Sequence, residues 1–366
     1  MHALGVVIPT KNSMRYLPDH VRTLSAWIDL AEQVVVVDSF SGDGTVDFIR
    51  NNLRHPNLHF VAHPPGLYAS WNHGIRQMTT EYCYISTVGD SISRVGIEHL
   101  VSTASRLGSG VLVSRPDFVN EVGQACDGPE WPMDDVVRRL QVCEPCRLRP
   151  PIMVATALTH TGGAITGSCA SDLFETTTLQ NHPFPLDFGV AGDGIWSLEN
   201  VGRIVWAVTP EVVTTFRRHP PTSSAMEIKT GRTAGDFARV TRRVVAEWLQ
   251  SCPPVVTPEV CADIQRLLHL AVEYEYSRCR YNRFRKGQWP WILNPRAWLA
   301  RTRRNALKSQ VNDLMQRICD QSSTGHHLSS PRRALDFLAV TDAEKAQRLC
   351  LDHGFSAKSP REVGYA

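Results

Sequence analysis

The amino-acid sequence predicts an α/β fold: a mostly parallel sheet followed by a helical C-terminal region. The first observation is Val34–Thr45, VVVVDSFSGDGT, where four valines run into Asp38 and then a Ser/Gly/Asp turn. The second is Leu4–Asn12, LGVVIPTKN, an apolar run that ends on Pro9 and Thr10 one βα unit earlier. The third is the alternation of short apolar runs with amphipathic stretches from Leu4 to Ser114, the pattern of successive βα units. Strands buried on both faces read as unbroken β-branched runs, and ligands bind beyond their carboxyl ends. Pro9–Thr10 and Asp38, on adjacent strand ends, therefore outline a nucleotide-sized pocket.

Strands are expected at 4–8, 34–37, 58–62, 82–86 and 110–114. Helices are expected between them at about 16–30, 44–53, 69–79 and 94–107. Residues 115–160 read as irregular because Pro116, Gly128–Pro129, Pro132, Pro145 and Pro150–Pro151 interrupt every pattern. Thr161–Ser168, TGGAITGS, reads as a small-residue strand that either lets a sugar approach the backbone or packs as a bulge on a helix. RIVWAVTP and EVVTTFRRH, from Arg203 to His219, read as two further strands. From about residue 232 the pattern is helical, over 236–250, 258–285 and 295–319, with two short pieces near 331–353.

Composition bounds the class. The 366 residues are 42% apolar and 20% charged, enough for one large domain or two medium ones. No run of about 18 uncharged apolar residues occurs, so no membrane-spanning helix is expected. The N-terminus goes straight into a strand, without the basic and apolar regions of a secretory signal. The ten cysteines lack framework spacing and are expected to be reduced thiols. Cys143–Cys146, with Cys126 and His160, is read as ordinary thiols in preference to a zinc site, because only one CxxC pair is present. The net charge of +3 conceals an asymmetry: ten Lys/Arg and no Asp/Glu stand between Arg278 and Lys308, leaving 29 basic against 36 acidic groups elsewhere.

Asp38 is expected either to hydrogen-bond a base or ribose, or to serve as a helix N-cap or turn carboxylate, a task Ser41 or Asp43 could also perform. Downstream, Gly66 makes a turn, a helix carries Asn72, and the strand from Tyr82 runs into Thr87–Val88–Gly89–Asp90. This order resembles the inverting family 2 glycosyltransferases of the GT-A fold, a Rossmann-like nucleotide-sugar fold. A strand ends in Pro-Thr-x-Asn, a strand–Asp turn follows, then G-x-x-x-x-x-N-x-G-I on a helix, then E-Y-x-x-I before an acidic turn. The resemblance is a pattern over the first 95 or so residues and extends more loosely to about residue 225.

The resemblance implies roles residue by residue. Pro9, Thr10, Asn12, Asp38, Ser41, Asn72, Gly89 and Asp90 would bind the nucleotide-sugar. Asp90 would hold Mg²⁺ or Mn²⁺ on the diphosphate; the turn carries one carboxylate where the family usually has two or three. A hard cation there neutralises the leaving group. Asp193 would be the catalytic base, with Gly192 in place of the usual Glu and with Asp187 and Glu199 as less well placed alternatives. A helix N-terminus is expected to lower its pKa and so weaken it. Arg217, Arg218 and His219 match the family's strand-end segment and would assist the phosphates or the metal. The structural alternatives are that Asp90 caps the helix from Arg94 and that Asp193 is only a cap.

The organisation implied is a GT-A-like domain over 1–225 and a helical region over 226–366. The function implied is transfer of a sugar, with inversion, from a UDP-linked donor to a glycan or lipid-linked acceptor in polysaccharide biosynthesis. The alternative from another class is an inactive nucleotide-sugar-binding or scaffold protein of the same fold, suggested by the thinned acidic motifs. The segment 278–308 interleaves its cations with Tyr281, Phe284, Trp289, Trp291 and Trp298. That suits an anionic membrane surface, or else a helical pair folded back on the acidic remainder. A cytoplasmic protein, peripheral at the membrane and without a nucleic-acid partner, is the expectation.

Overall fold

The computed structural model describes residues 3–128, 131–160, 165–218, 232–252, 256–285 and 295–323. Eight strands form the central sheet: β1 (Leu4–Thr10), β2 (Gln33–Asp38), β3 (Leu58–Ala62), β4 (Tyr82–Ile85), β6 (Val111–Val113), β8 (Cys146–Leu148), β9 (Asp172–Glu175) and β10 (Trp206–Val208). Their order is β3-β2-β1-β4-β9-β6-β10-β8. The first four run parallel, as do β6 and β10. β9 lies antiparallel between β4 and β6, and β8 is an antiparallel edge. A second sheet joins β5 (Ser91–Ile92), β11 (Thr214–Arg217) and β7 (Pro116–Val119).

The valine runs become the most buried strands. Val6, Val7, Val34, Val36 and Val37 are fully enclosed because helices cover both faces of β1 and β2. The helices are α1 (Leu17–Ser25), α2 (Thr45–Asn52), α3 (Leu67–Ile75) and α4 (Arg94–Leu107), matching the alternation read from the sequence. α3 approaches the sheet at Gly74, where a Cβ would lie 2.7 Å from a Val7 methyl and 2.8 Å from one of Val37. The helix expected over 16–30 is broken: α1 stops at Ser25, and a 3-10 turn covers Ile28–Leu30.

The segment 115–160 is a correction to the sequence reading. It holds β7, α5 (Pro132–Leu140), β8 and α6 (Pro150–Thr159). Its prolines were read as breakers, yet Pro132 and Pro150 sit in the first turn of their helices, where a missing N–H costs nothing. α6 shows no amphipathic stripe because it is buried along its length. The strand expected over Thr161–Ser168 is also corrected. Thr161–Ala164 lie outside the described residues, and Ile165–Ser168 form a turn with Gly167 at φ 68°. A Cβ on Gly167 would meet the Trp131 indole at 2.9 Å, and that indole N–H donates to the Ile165 carbonyl. The strand begins instead at Asp172.

α7 (Thr176–Asn181) and α8 (Gly192–Asn200) follow, and then the C-terminal helices α9 (Arg232–Gln250), α10 (Pro258–Arg285) and α11 (Pro295–Ser323). α10 and α11 pack along each other and on α6. Val245, Ile264, Leu267, Leu314, Met315 and Ile318 belong to the same apolar cluster as the sheet. Arg139 on α5 pairs with Asp135 and also donates to the Asn312 carbonyl, tying α11 to the sheet side.

No described helix is long and apolar enough to cross a membrane. Tyr281 is buried beneath the Arg304 guanidinium, 4.4 Å from its ring centre, rather than presented outward. Trp289 and Trp291 lie outside the described residues, as do the short helices expected near 331–353. Cys146 is buried in β8, and among the described residues no three His, Cys, Asp or Glu side chains converge as a metal site.

Candidate active site

The site forms beyond the carboxyl ends of β1, β2 and β4. Thr10 and Asp38 are register partners on β1 and β2. Thr10 donates its hydroxyl to Asp38 Oδ1 at 2.9 Å. Ser41 donates its hydroxyl to the same oxygen at 2.6 Å and its N–H to Oδ2 at 2.8 Å. The turn after β1 interlocks with the turn after β2. Asn12, at φ 46°, donates its N–H to the Ser41 hydroxyl, and its side-chain oxygen accepts the Gly42 N–H. The start of α2 is served by Asp43, which accepts both the N–H and the hydroxyl of Thr45. Asp38 therefore does not cap α2 but does act as a turn carboxylate, accepting the Ser41 N–H. It is the centre of a hydroxyl-lined floor, with half-buried Pro9 beside it.

Asp90 lies in the turn after β4 and is 6% exposed. Its Oδ2 accepts the Thr87 hydroxyl at 2.5 Å, and its Oδ1 accepts the Arg217 N–H at 2.9 Å. Burial pushes the carboxyl up to about 7, against the opposing pull of Thr87 and Arg217. The cap of α4 is Ser93, which accepts the Gly96 N–H, so Asp90 has no capping duty. Gly89 takes φ 109°, a conformation open to glycine. The Arg217 guanidinium donates to the Gly89 and Glu121 carbonyls and lies 5.4 Å from the Tyr16 ring centre. Arg217 thus meets the Asp90 turn. Arg218 points away and donates to the Asp127 carbonyl, and His219 lies outside the described residues.

Asp193 sits in the first turn of α8, where its Oδ1 accepts the Gly194 N–H at 2.6 Å. Burial raises its pKa, outweighing the amide bond and the Tyr68 hydroxyl beside it. The lowered value expected from the helix end is corrected on this point: desolvation wins. A Cβ at Gly192 would lie 2.5 Å from the Tyr68 ring, so Tyr68 occupies the space a side chain would need there. Of the alternatives, Glu199 pairs with Arg243, and Asp187 is exposed. Asn72 is buried, and its amide spans the backbone of Phe184, donating to the carbonyl and accepting the N–H. It anchors α3 to the loop before α8.

Two residues escaped the sequence reading. Asp172, at the start of β9, is fully buried, and its Oδ2 has no hydrogen-bond partner among the described residues. Burial raises its pKa well above the usual carboxylate range. It links the two ends of the site. Burial first, then the charges of Asp90 and Asp172, push up Tyr84; burial, then Asp193 and Asp172, push up Cys169. The visible signal was a lone Asp opening the apolar run DLF. The second is His20 on α1, buried, with Nδ1 3.0 Å from the Asp90 carbonyl and Nε2 3.2 Å from the Ser86 hydroxyl. Burial holds its imidazole down at about 4. A lone His in an amphipathic helix carries no such signal.

The residues fit a divalent cation to a limited extent. Each Asp90 oxygen accepts one hydrogen bond and keeps a second lone pair, so the turn can offer one hard oxygen ligand. The remaining ligands would have to come from a diphosphate and water.

Comparisons place this arrangement among known proteins. Residues 5–140 match the family model described as glycosyl transferase family 2. No curated protein matches the chain. Among solved structures, S. aureus TarS 1–349 is similar at 16% identity and a TM-score of 0.52, covering 96% of this chain and 92% of that one. The same TarS segment in complex with UDP-GlcNAc gives 15% identity and a TM-score of 0.54, with the same coverage. At such identity the likeness is one of fold. Residues 5–140 are thus similar to glycosyl transferase family 2, and the chain has a GT-A-like fold with a helical C-terminal region.

Proposed function

We propose that the protein transfers a sugar from a UDP-linked donor to a hydroxyl of a glycan or lipid-linked acceptor, with inversion at the anomeric carbon. The observation that carries this reading is the Thr10–Asp38–Ser41 floor set beside the Asp90–Arg217 turn. Asp38 keeps one lone pair, on Oδ2, to offer to the N–H of a uracil or to a ribose hydroxyl. The Asp90 turn faces the diphosphate, and a Mg²⁺ or Mn²⁺ ion bound through Asp90 would supply charge neutralisation of the leaving group. Arg217, already fixed by its backbone bond to Asp90, adds a cation on the same side. The TarS complex with UDP-GlcNAc, on a similar fold, favours a UDP-sugar.

Asp193 is the base of this mechanism. The acceptor oxygen attacks the anomeric carbon, the bond to the diphosphate oxygen breaks, UDP leaves, and the acceptor proton passes to Asp193. Burial raises the Asp193 pKa, which makes its carboxylate a stronger proton acceptor. The basic segment 278–308 would meet anionic lipid head groups when the acceptor is lipid-linked. The test is transfer from a panel of sugar nucleotides, with UDP binding followed by calorimetry. Asp38→Ala is expected to abolish UDP binding in a protein that still folds, at a lowered melting temperature because Thr10 and Ser41 lose their acceptor. Unchanged UDP affinity in that variant overturns the base-binding role.

A further inference from the structure

We propose that His20 is a positioning residue that holds the Asp90 turn in its donor-binding shape. The proposal rests on the reading of that turn as the diphosphate-facing element. The turn leaves β4 at Ser86 and enters β5 at Ser91. Between them lie Val88 and Gly89, and Gly89 takes a positive φ, so the turn has little intrinsic stiffness. Its first residue, Ser86, is fixed to β1 by its N–H on the Val7 carbonyl at 2.8 Å. Its last residue, Asp90, donates its N–H to the Thr87 carbonyl within the turn at 3.2 Å, and its own carbonyl is held from outside.

His20 supplies that fixation from α1, 70 residues away in sequence. Its two ring nitrogens reach the two ends of the same turn, the Asp90 carbonyl at 3.0 Å and the Ser86 hydroxyl at 3.2 Å. A carbonyl oxygen only accepts, so Nδ1 carries the proton and donates to Asp90. Nε2 then accepts from Ser86. The imidazole is a strut of fixed length across the turn, enclosed at 4% exposure. It acts on the main chain of Asp90, while Thr87 and the Arg217 N–H act on the carboxylate. Together they fix the direction in which the free lone pairs of that carboxylate point. A ligand oxygen needs placement within about half an ångström, and that depends on the groups behind it.

The chemistry of the side chain yields a discriminating test. In Asn the amide nitrogen takes the place of Nδ1, so His20→Asn keeps the bond to the Asp90 carbonyl. His20→Leu keeps the bulk and loses both bonds. UDP affinity is measured by calorimetry for parent, Asn and Leu proteins, in Mn²⁺ and in EDTA. In parallel, amide hydrogen exchange is followed across residues 86–92. His20→Leu is expected to lose about tenfold in UDP affinity in Mn²⁺, the scale of one buried hydrogen bond, with little change in EDTA. Its turn amides should exchange faster. His20→Asn should remain within about threefold of the parent, with exchange near the parent's. Parent-like affinity and exchange in His20→Leu overturn the proposal, as do equal losses in Asn and Leu. A parent protein whose UDP affinity is the same in Mn²⁺ and EDTA would instead remove the metal from Asp90. The exchange data alone would then decide the strut: faster exchange in Leu but not Asn sustains it, and unchanged exchange refutes it.

Discussion

Replacing Asp90 by Asn should stabilise the protein at alkaline pH and leave it little changed in acid. Burial lifts the Asp90 carboxyl from 3.8 to about 7. Between those values the folded protein keeps a proton that the unfolded chain has lost. Stability therefore falls as pH rises through this window, and the full loss is reached above the folded pKa. At about 1.4 kcal/mol per pKa unit, the whole window corresponds to roughly 4 kcal/mol. By pH 5 about a third of that loss has accrued, so the advantage of Asp90→Asn over the parent should grow by about 3 kcal/mol between pH 5 and pH 8. Asn preserves the local bonds: its carbonyl can accept the Arg217 N–H, and its amide can donate to the Thr87 hydroxyl oxygen. Urea unfolding in EDTA at the two pH values measures the difference directly. Asp172 and Asp193 also carry raised pKa values, but they act equally in both proteins and cancel. An advantage of the same size at both pH values would refute the reasoning, because it would mean that Asp90 is not held proton-bound by burial. A buried carboxylate retained at such a cost is also a mark of a functional site.

Asp193→Asn should lower turnover by about 10²- to 10⁴-fold while UDP binding stays intact, since a positioned base is worth that much; near-parental turnover, or a product with the donor's own anomeric configuration, removes Asp193 from the mechanism. Gly192→Ala should cost about 1–3 kcal/mol of stability by driving a methyl into the Tyr68 ring, and thermal melting of Gly192→Ala with and without Tyr68→Ala tests whether relief comes from that ring. Vesicles containing anionic lipid should bind the protein in flotation assays at low salt and release it as salt rises, each cation near the surface being worth about 1 kcal/mol; absence of low-salt binding would leave the internal partners of this segment, such as Arg304 over Tyr281, as its whole role.

Local chemistry made the first hundred residues readable. The valines of β2 and the apolar run of β1 have to be buried on both faces, and Asp38 has to stand at their carboxyl edge. The Thr87–Asp90 turn and Asp193 are singled out by the family pattern that their surrounding sequence resembles. The misreadings came where one residue type serves two purposes. Pro132 and Pro150 begin helices but look like breaks, and Thr161–Ser168 has strand-like composition although its described part, Ile165–Ser168, is a turn. What Asp90 does, by contrast, was decided by groups far along the chain: the Arg217 amide, 127 residues away, and the His20 ring, 70 residues away. The buried Asp172, whose Oδ2 has no partner among the described residues, and the Tyr68 ring that leaves no room for a side chain at residue 192 belong to the same class. Periodicity and turn chemistry are properties of neighbours in sequence, so the chain alone carries them. Desolvation and hydrogen bonds across elements exist only once the sheet and helices have packed, and they set the protonation and aim of Asp90, Asp172 and Asp193.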